Sequence, residues 1–473
     1  MFEYIRLKNY KSFGDVDFNL LDKNKNPKKL ILIFGENGIG KSNLASSFFM
    51  LSETLRTMDV RDIMQSILED PDRLKNEEFS RFLKMNYKDI ETLIHENKMV
   101  NSDEPMSLEF GFRLQDKKGR WKKGRYILET NDNQIIHERL EYTLLKNRGA
   151  YFDITPAKTI ISPKIFLGNT AYQEIQKSCD MYWGKHSLLA ILMHESKDKS
   201  DNYIKKQLSE NFNSVIKFFS RISCKVKIGS RQERGIIGLP PEIFSSFDEG
   251  NIPTSRESIL DKTENMLNIF FKNIFTDVHG VYYKRTYKEN RINYKLMIYK
   301  YIAGMERELP FSLESTGTQS LLELLPFMLV VLKGSVAIID EFDTALHDIL
   351  VESLVISLNE NPNGQLILTT HNTLLMESDI PKESIYTIYE TENGSKKIEC
   401  ITQRPDNKIQ KNTNIRKQYL AGGYRGIPKK IHIDFNQLLK TLKKDSMPKS
   451  VMLLRPLTCH IPVSPGLVAR RAR

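Results

Sequence analysis

The run Gly35-Glu36-Asn37-Gly38-Ile39-Gly40-Lys41-Ser42-Asn43 has the residue types needed to hold a chain of phosphates. Glycines let backbone N–H groups curl round an anion, and a helix beginning at the end of the run would add its positive end. Lys41 is long enough to meet β- and γ-phosphates, and Ser42 offers a hydroxyl to Mg²⁺. A second group follows far downstream. Val336-Ala337-Ile338-Ile339 is a short apolar run, and Asp340 and Glu341 close it. A carboxylate at such a strand end would share the Mg²⁺ shell with Ser42. Glu341 is then placed to orient or deprotonate an attacking water. Together these residues describe hydrolysis of a nucleoside triphosphate.

Two further signals are compatible with that chemistry. Ser315-Thr316-Gly317-Thr318-Gln319 precedes a helical pattern over 320–332. It reads either as a second anion-binding helix end or as an ordinary N-cap by Ser315 or Thr318. His371 follows an apolar run over 366–370, where an imidazole would meet a γ-phosphate or serve as a polar loop residue.

The elements that must position these groups are legible in outline. Leu30-Ile31-Leu32-Ile33-Phe34 reads as a buried strand before the glycine run. Leu44, Phe48, Leu51 and Leu55 give the helix after it. Residues 4–10 and the alternating Val16, Phe18 and Leu20 read as two strands around a turn at Ser12-Phe13-Gly14. From residue 335 onward, apolar runs at 336–339, 366–368 and 385–389 alternate with helical patterns, one of them carrying Leu346, Leu350, Leu354 and Leu358. This alternation predicts a mainly parallel α/β sheet.

Between the two halves lies a long mixed stretch. Residues 56–98, 186–222 and 256–275 read as helical. Residues 106–145 read as antiparallel strands with a turn at 116–119, and residues 281–301 as a second hairpin. No sustained heptads or internal repeats occur, which argues against a long coiled-coil arm. The expected organisation is therefore a head made of residues 1–56 and 308–430, an insertion over 57–307, an extension over 431–453 and a tail over 454–473. That tail is Pro-, Val- and Arg-rich, and reads as a disordered basic segment or as read-through of vector origin.

The bulk composition excludes little. The chain has 473 residues, 40% hydrophobic and 27% charged, with a formal net charge of +11. The excess of cations fits either nucleic-acid partners or plain solubility. The four cysteines, Cys179, Cys224, Cys400 and Cys459, are widely spaced, which argues against a zinc ribbon or a disulfide framework. No signal peptide and no membrane-length apolar run is apparent, so a cytoplasmic location is expected.

The four signals, in this order, resemble those of ABC-type ATPases, and within them the RecF, SMC and OLD branch. Ile5-Arg6-Leu7-Lys8-Asn9-Tyr10-Lys11-Ser12-Phe13 is similar to the opening strand and turn of that branch. Glu314-Ser315-Thr316-Gly317-Thr318-Gln319 resembles its signature motif. Asp340-Glu341-Phe342-Asp343-Thr344-Ala345-Leu346-His347 resembles a joined Walker B and D-loop, and Thr369-Thr370-His371-Asn372 the switch histidine. Tyr419-Leu420-Ala421-Gly422-Gly423-Tyr424-Arg425-Gly426-Ile427-Pro428 resembles a run in OLD-like ATPases of bacterial defence systems, with Arg425 where glycine is more usual.

The resemblance implies an α/β ABC-type P-loop ATPase head: a mainly parallel sheet plus an antiparallel β subdomain, interrupted by a long mixed α+β insertion. It implies ATP and Mg²⁺ as cofactors, and a head-to-head dimer or higher oligomer with ATP at the interface. Gly35, Asn37, Gly38, Gly40, Lys41, Ser42 and Asn43 would cradle the nucleotide. Ser42 and Asp340 would hold the metal. Lys41, Glu341 and His371 would act in cis, and Ser315 and Gly317 would act from the partner copy. Asp343 would connect the two sites. The glutamine of the family pattern has two candidates, Gln65 and Gln173.

OLD proteins carry a C-terminal Toprim nuclease, and the stretch after Pro428 is too short for one. The expected function is therefore an ATPase subunit that senses infection in a bacterial antiphage or abortive-infection module, with a separate effector such as a nuclease. One alternative is a RecF- or SMC-like ATPase of DNA repair. Lys122, Lys123 and Arg125, and Tyr282, Tyr283, Lys284, Arg285, Tyr287 and Lys288, are its candidate DNA-gripping residues, or else ordinary solvated hairpins. A second alternative is a slow-turnover scaffold locked by ATP.

Overall fold

Strand β3 (Leu30–Phe34) shows in five residues how the fold is layered. Ile31 and Ile33 face one hydrophobic cluster, while Leu30, Leu32 and Phe34 face another. Alternate side chains point to opposite faces, and here both faces are covered. The computed structural model describes residues 1–69, 88–116, 118–198, 206–228, 231–236, 246–360, 362–403, 413–427 and 433–444. Part of the helical stretch expected over 56–98, Cys459, Pro428 and the tail 454–473 fall outside them.

Two units are distinguished, Met1–Pro428 and Lys429–Arg473. The first contains three sheets. The N-terminal hairpin, β1 (Phe2–Tyr10) and β2 (Phe13–Asn19), continues through β4 (Met106–Gln115), β5 (Trp121–Thr130), β6 (Ile135–Thr143), β7 (Arg148–Thr155) and β8 (Lys158–Ile161). These seven strands run in the order β2-β1-β4-β5-β6-β7-β8, every pair antiparallel.

The central sheet also has seven strands. It adds β9 (Ile222–Ile228), β10 (Arg231–Gly235), β15 (Val336–Ile339), β16 (Gln365–Thr369), β17 (Ile385–Glu390) and β18 (Lys396–Cys400) to β3. Their order is β10-β9-β15-β16-β3-β17-β18, parallel throughout the middle and antiparallel at both edges. The mainly parallel sheet expected from the sequence is present. The third sheet, β11 (Glu249–Pro253), β12 (Val278–Lys288), β13 (Arg291–Ile302) and β14 (Met305–Pro310), packs with the helix Glu257–Ile274 around Phe271, Leu296 and Phe311.

Strand pairing crosses the expected division between head and insertion. Strand β4 completes the open edge of the N-terminal hairpin, and β9 lies inside the central sheet against β15. A two-stranded hairpin is marginal alone, and an uncovered parallel edge exposes unpaired backbone groups. The middle stretch satisfies both needs. Two local expectations also shift. The first turn falls at Lys11-Ser12, and Phe13 begins β2 as a fully buried residue. The leucines Leu350 and Leu354 of the helix Asp348–Glu360 pack partly against the third sheet, while Val351 and Val355 take the buried positions.

The helix Lys41–Thr54 is buried on nearly every side between the central and antiparallel sheets. Its polar residues are satisfied locally. Ser47 donates to Leu44 O at 2.7 Å, Thr54 donates to Met50 O at 2.8 Å, and Ser46 Oγ lies 2.9 Å from the Tyr10 hydroxyl. Back-bonded hydroxyls let a helix enter a core without unpaired polar groups.

Glu138 on β6 is fully buried and collects four donors. Oε1 accepts from Tyr126 Oη at 3.0 Å and Leu189 N at 3.3 Å. Oε2 accepts from Trp183 Nε1 at 3.0 Å and Leu188 N at 2.6 Å. Burial pushes its pKa up to about 7, while the donors pull the other way. Glu138→Gln turns an amide nitrogen toward two of these donors. It is expected to cost about 2–4 kcal/mol, read as a lower denaturant midpoint at unchanged slope.

In the second unit, the helix Phe435–Lys444 is capped by Asp434, whose Oδ1 accepts from Asn436 N at 2.9 Å. Phe435, Leu438 and Leu439 are exposed on it.

Candidate functional site

The glycine run joins β3 to the helix Lys41–Thr54 at the carboxyl end of the parallel strands, where open α/β sheets place their ligands. Gly40 has φ +120°, and a Cβ there would lie 3.0 Å from the Phe13 ring and 3.2 Å from Ser12 Oγ. Only glycine meets both conditions. This explains why Phe13 is drawn into β2: its ring closes over the start of the loop. Asn43 Nδ2 donates to Ser12 Oγ at 2.7 Å, tying the first turn to the helix start. Ser42 is half-buried in the helix's first turn.

Lys41 is buried, and its Nζ donates to Gly35 O at 2.8 Å and Glu36 O at 2.9 Å. Burial lowers its pKa, opposed by the charges of Asp340, Glu341, Asp343 and Glu36. Asp340 is buried at the end of β15. Its Oδ1 accepts from Thr369 Oγ1 at 2.5 Å, and the same Oγ1 accepts from Glu341 N at 2.8 Å. Glu341 adopts φ +50°, in the left-handed region that non-glycine residues rarely occupy. Such a backbone persists where its neighbours over-determine it, which Thr369 does here from the adjacent strand β16.

His371 N donates to Asp343 Oδ2 at 3.0 Å, while Asp343 Oδ1 is buried without a partner among the described residues. Burial, then the charge of Lys41, lowers the His371 pKa, and the carboxylates of Asp343, Glu341 and Asp340 oppose this. Asn372 pins the strand end by donating to Asp348 O at 2.9 Å. Lys41, Asp340, Glu341, Asp343 and His371 thus form one electrostatic group. The donor set fits a magnesium triphosphate: a hard carboxylate and hydroxyl for the metal, an ammonium and a glycine cradle for phosphates, and an orphaned carboxylate oxygen beside them.

Ser315 and Gly317 stand apart from that group. Ser315 is exposed and caps the helix Thr316–Leu332, accepting from Thr318 N at 3.2 Å. A Cβ on Gly317 would lie 2.6 Å from Ala345 O, so the glycine lets the 341–347 loop pass close by. The helix begins four residues earlier than the 320 read from sequence, because the Ser315 cap draws Thr316-Gly317-Thr318-Gln319 into its first turn.

Gln65 and Gln173 are both exposed, and neither joins the hydrogen bonds around Asp340 and Glu341. The side chain found there is Lys227 of β9, with Nζ 3.1 Å from Glu341 Oε2. Sequence reasoning missed Lys227 and gave Thr369 no role of its own, because each meets the carboxylates only through strand pairing. The run Tyr419 to Ile427 backs the loop from the other side. Thr387 Oγ1 of β17 donates to Tyr424 O at 3.0 Å, and the Gly426 Cβ position lies 3.6 Å from Gly35 Cα. Arg425, at φ +57°, sets its guanidinium 4.9 Å from the Tyr389 ring centre. That contact offsets part of the cost of a side chain where glycine is easier.

Several of the candidate hairpin residues already have partners. Arg285 pairs with Glu257, Asp261 and Glu264, Tyr287 with Glu257, and Tyr282 donates to Glu308 at 2.6 Å. Tyr283 is buried, and Arg125 pairs with Glu141 at 2.7 Å. Lys284 and Lys288 remain exposed.

Among solved structures, an SMC head bound to the C-winged helix domain of ScpA is 14% identical, with TM-score 0.39, covering 84% of this chain and 97% of that one. The SMC head domain from Thermotoga maritima is 15% identical, with TM-score 0.35, over 85% and 98%. The recombination mediator protein RecF with ATPrS is 12% identical, with TM-score 0.36, over 84% and 98%. Likeness this distant assigns no residue role. No curated protein matches. No helix among the described residues is long and apolar enough to cross a membrane. Residues 30–377, from β3 past His371, match one family over well more than half of the chain, and the chain belongs to that family, described as "AAA domain, putative AbiEii toxin, Type IV TA system".

Proposed function

We propose that this chain is a magnesium-dependent ATPase that dimerises around ATP and serves as the sensing or regulatory subunit of a bacterial defence module. The observation that carries the ATPase reading is the gathering of Lys41, Asp340, Glu341, Asp343 and His371 at one end of the parallel sheet. ATP with Mg²⁺ supplies the phosphoanhydride bond to be cleaved. Gly35, Asn37, Gly38 and Gly40 turn the loop around the phosphates, with Asn43 fastening it. Lys41 would exchange its two carbonyl partners for phosphate oxygens, and Ser42 and Asp340 would hold the metal. Glu341 would take the proton of the attacking water. His371 would face the terminal phosphate, linked to Asp343 through its backbone N–H. The work is positioning and charge stabilisation, with little covalent chemistry for the protein.

Ser315 and Gly317 lie on an exposed helix start beside the 341–347 loop. This favours their use on nucleotide held by a second copy, closing a head-to-head dimer. Asp343, close to both regions, would connect the two sites. The defence role draws on the family description, which names a toxin and a toxin–antitoxin system. The effector would be a separate protein such as a nuclease, in the cytoplasm. Of the candidates for the DNA-repair reading, Tyr282, Arg285 and Tyr287 are held by Glu257, Asp261, Glu264 and Glu308, while Lys123, Lys284 and Lys288 are exposed. Phosphate release from ATP tests the core of the proposal. Turnover that requires Mg²⁺ is expected, and no release at any Mg²⁺ concentration contradicts it.

A further inference from the structure

Asp340 and Glu341 sit between two lysines. Lys41 approaches from the loop, and those two carboxylates are the strongest charges acting on it. Lys227 approaches from β9. Its backbone N–H donates to Asp340 Oδ2 at 3.3 Å, and its Nζ lies 3.1 Å from Glu341 Oε2. Register explains the meeting. Ile339 pairs with Lys225, so Lys227 lies two residues further along, beside the carboxylates that follow β15.

The two lysines are held differently. Lys41 is buried on two loop carbonyls. Lys227 is half exposed at 50% and its partner Glu341 is 32% exposed. A pair this open is weak and cheap to separate. A terminal phosphate carries more negative charge than one carboxylate, and lysine serves phosphates as a mobile point charge.

We propose that Lys227 senses the third phosphate: it exchanges its partner Glu341 for the terminal phosphate of a bound triphosphate, and so frees Glu341 for the water. The inference rests on the reading of the glycine loop as a triphosphate site, and goes beyond it by assigning the preference for triphosphate over diphosphate. Lys41 would keep the β-phosphate, which both nucleotides share, whereas the partner of Lys227 exists only in the triphosphate.

The test is equilibrium binding of ADP and of a non-hydrolysable ATP analogue, each with Mg²⁺, to the full chain. Lys227→Met is expected to weaken the analogue about tenfold while leaving ADP within about twofold. Lys227→Arg is expected to keep the preference. Glu341→Gln is expected to tighten the analogue in the presence of Lys227 and to do nothing beside Lys227→Met. Equal weakening of both ligands in Lys227→Met, or no weakening of either, overturns the assignment. Absence of any nucleotide binding by the unsubstituted chain overturns the triphosphate reading itself, a result distinct from binding with an unchanged preference.

Discussion

Lys41→Met is expected to lower kcat/KM for ATP by about 100- to 1,000-fold, the loss typical of removing one positioned charge donor from a phosphate or oxyanion site. The fold should survive. Met fills nearly the same volume, and the hydrogen-bond partners lost are loop carbonyls of Gly35 and Glu36. Phosphate release measures the loss, and a thermal melt checks the fold. The size of the effect follows from burial. Desolvation disfavours the ammonium and lowers its pKa, while the charges of Asp340 and Glu341 oppose that shift. A phosphate chain would complete its coordination where water cannot. Turnover within a few-fold of the unsubstituted chain would show that the glycine loop is not the catalytic cradle.

Glu341→Gln is the second large effect. Turnover should fall by about 100- to 10,000-fold, the usual contribution of a positioned general base. Nucleotide binding should persist, because Gln keeps the size of the side chain and the backbone bond to Thr369 Oγ1 is untouched. The two substitutions separate two functions: Lys41→Met loses binding and turnover together, Glu341→Gln loses turnover alone. The comparison also distinguishes a working cycle from an ATP-locked scaffold. If biological function is retained in Glu341→Gln, hydrolysis is dispensable and the scaffold reading gains.

The parts of the site that depend on local sequence were legible. Gly40, Lys41 and Asp340-Glu341 announce themselves because a glycine loop and a strand-end carboxylate pair need particular residues at fixed spacing. The helix over Glu257–Ile274 and the hairpin of β12 and β13 were legible by periodicity. What stayed hidden depends on contacts between distant segments. Nothing near Lys227 in the chain marks it, since its partner Glu341 is more than a hundred residues away and meets it only because β9 slots beside β15. The strand pairing of the middle stretch was hidden for the same reason. A chain-order reading sees residues 57–307 as one interruption, while the strands there fill open edges in two sheets. The basic hairpin shows the same dependence on distant contacts. Arg285 reads as a free cation until Glu257, Asp261 and Glu264 on the neighbouring helix are placed beside it.

The central claim is that a triphosphate is held between two copies of this chain, with Ser315 and Gly317 of one facing the loop of the other. Light scattering on Glu341→Gln measures it directly, because the trapped nucleotide cannot be hydrolysed away. With ATP and Mg²⁺ the mass should be twice the 54.9 kDa of one chain, and with ADP it should return to that of one chain. Adding Ser315→Arg, an exposed change at the cap of the helix Thr316–Leu332, should prevent doubling while leaving nucleotide binding intact. A mass that ignores ATP, or a dimer indifferent to Ser315→Arg, would contradict the account.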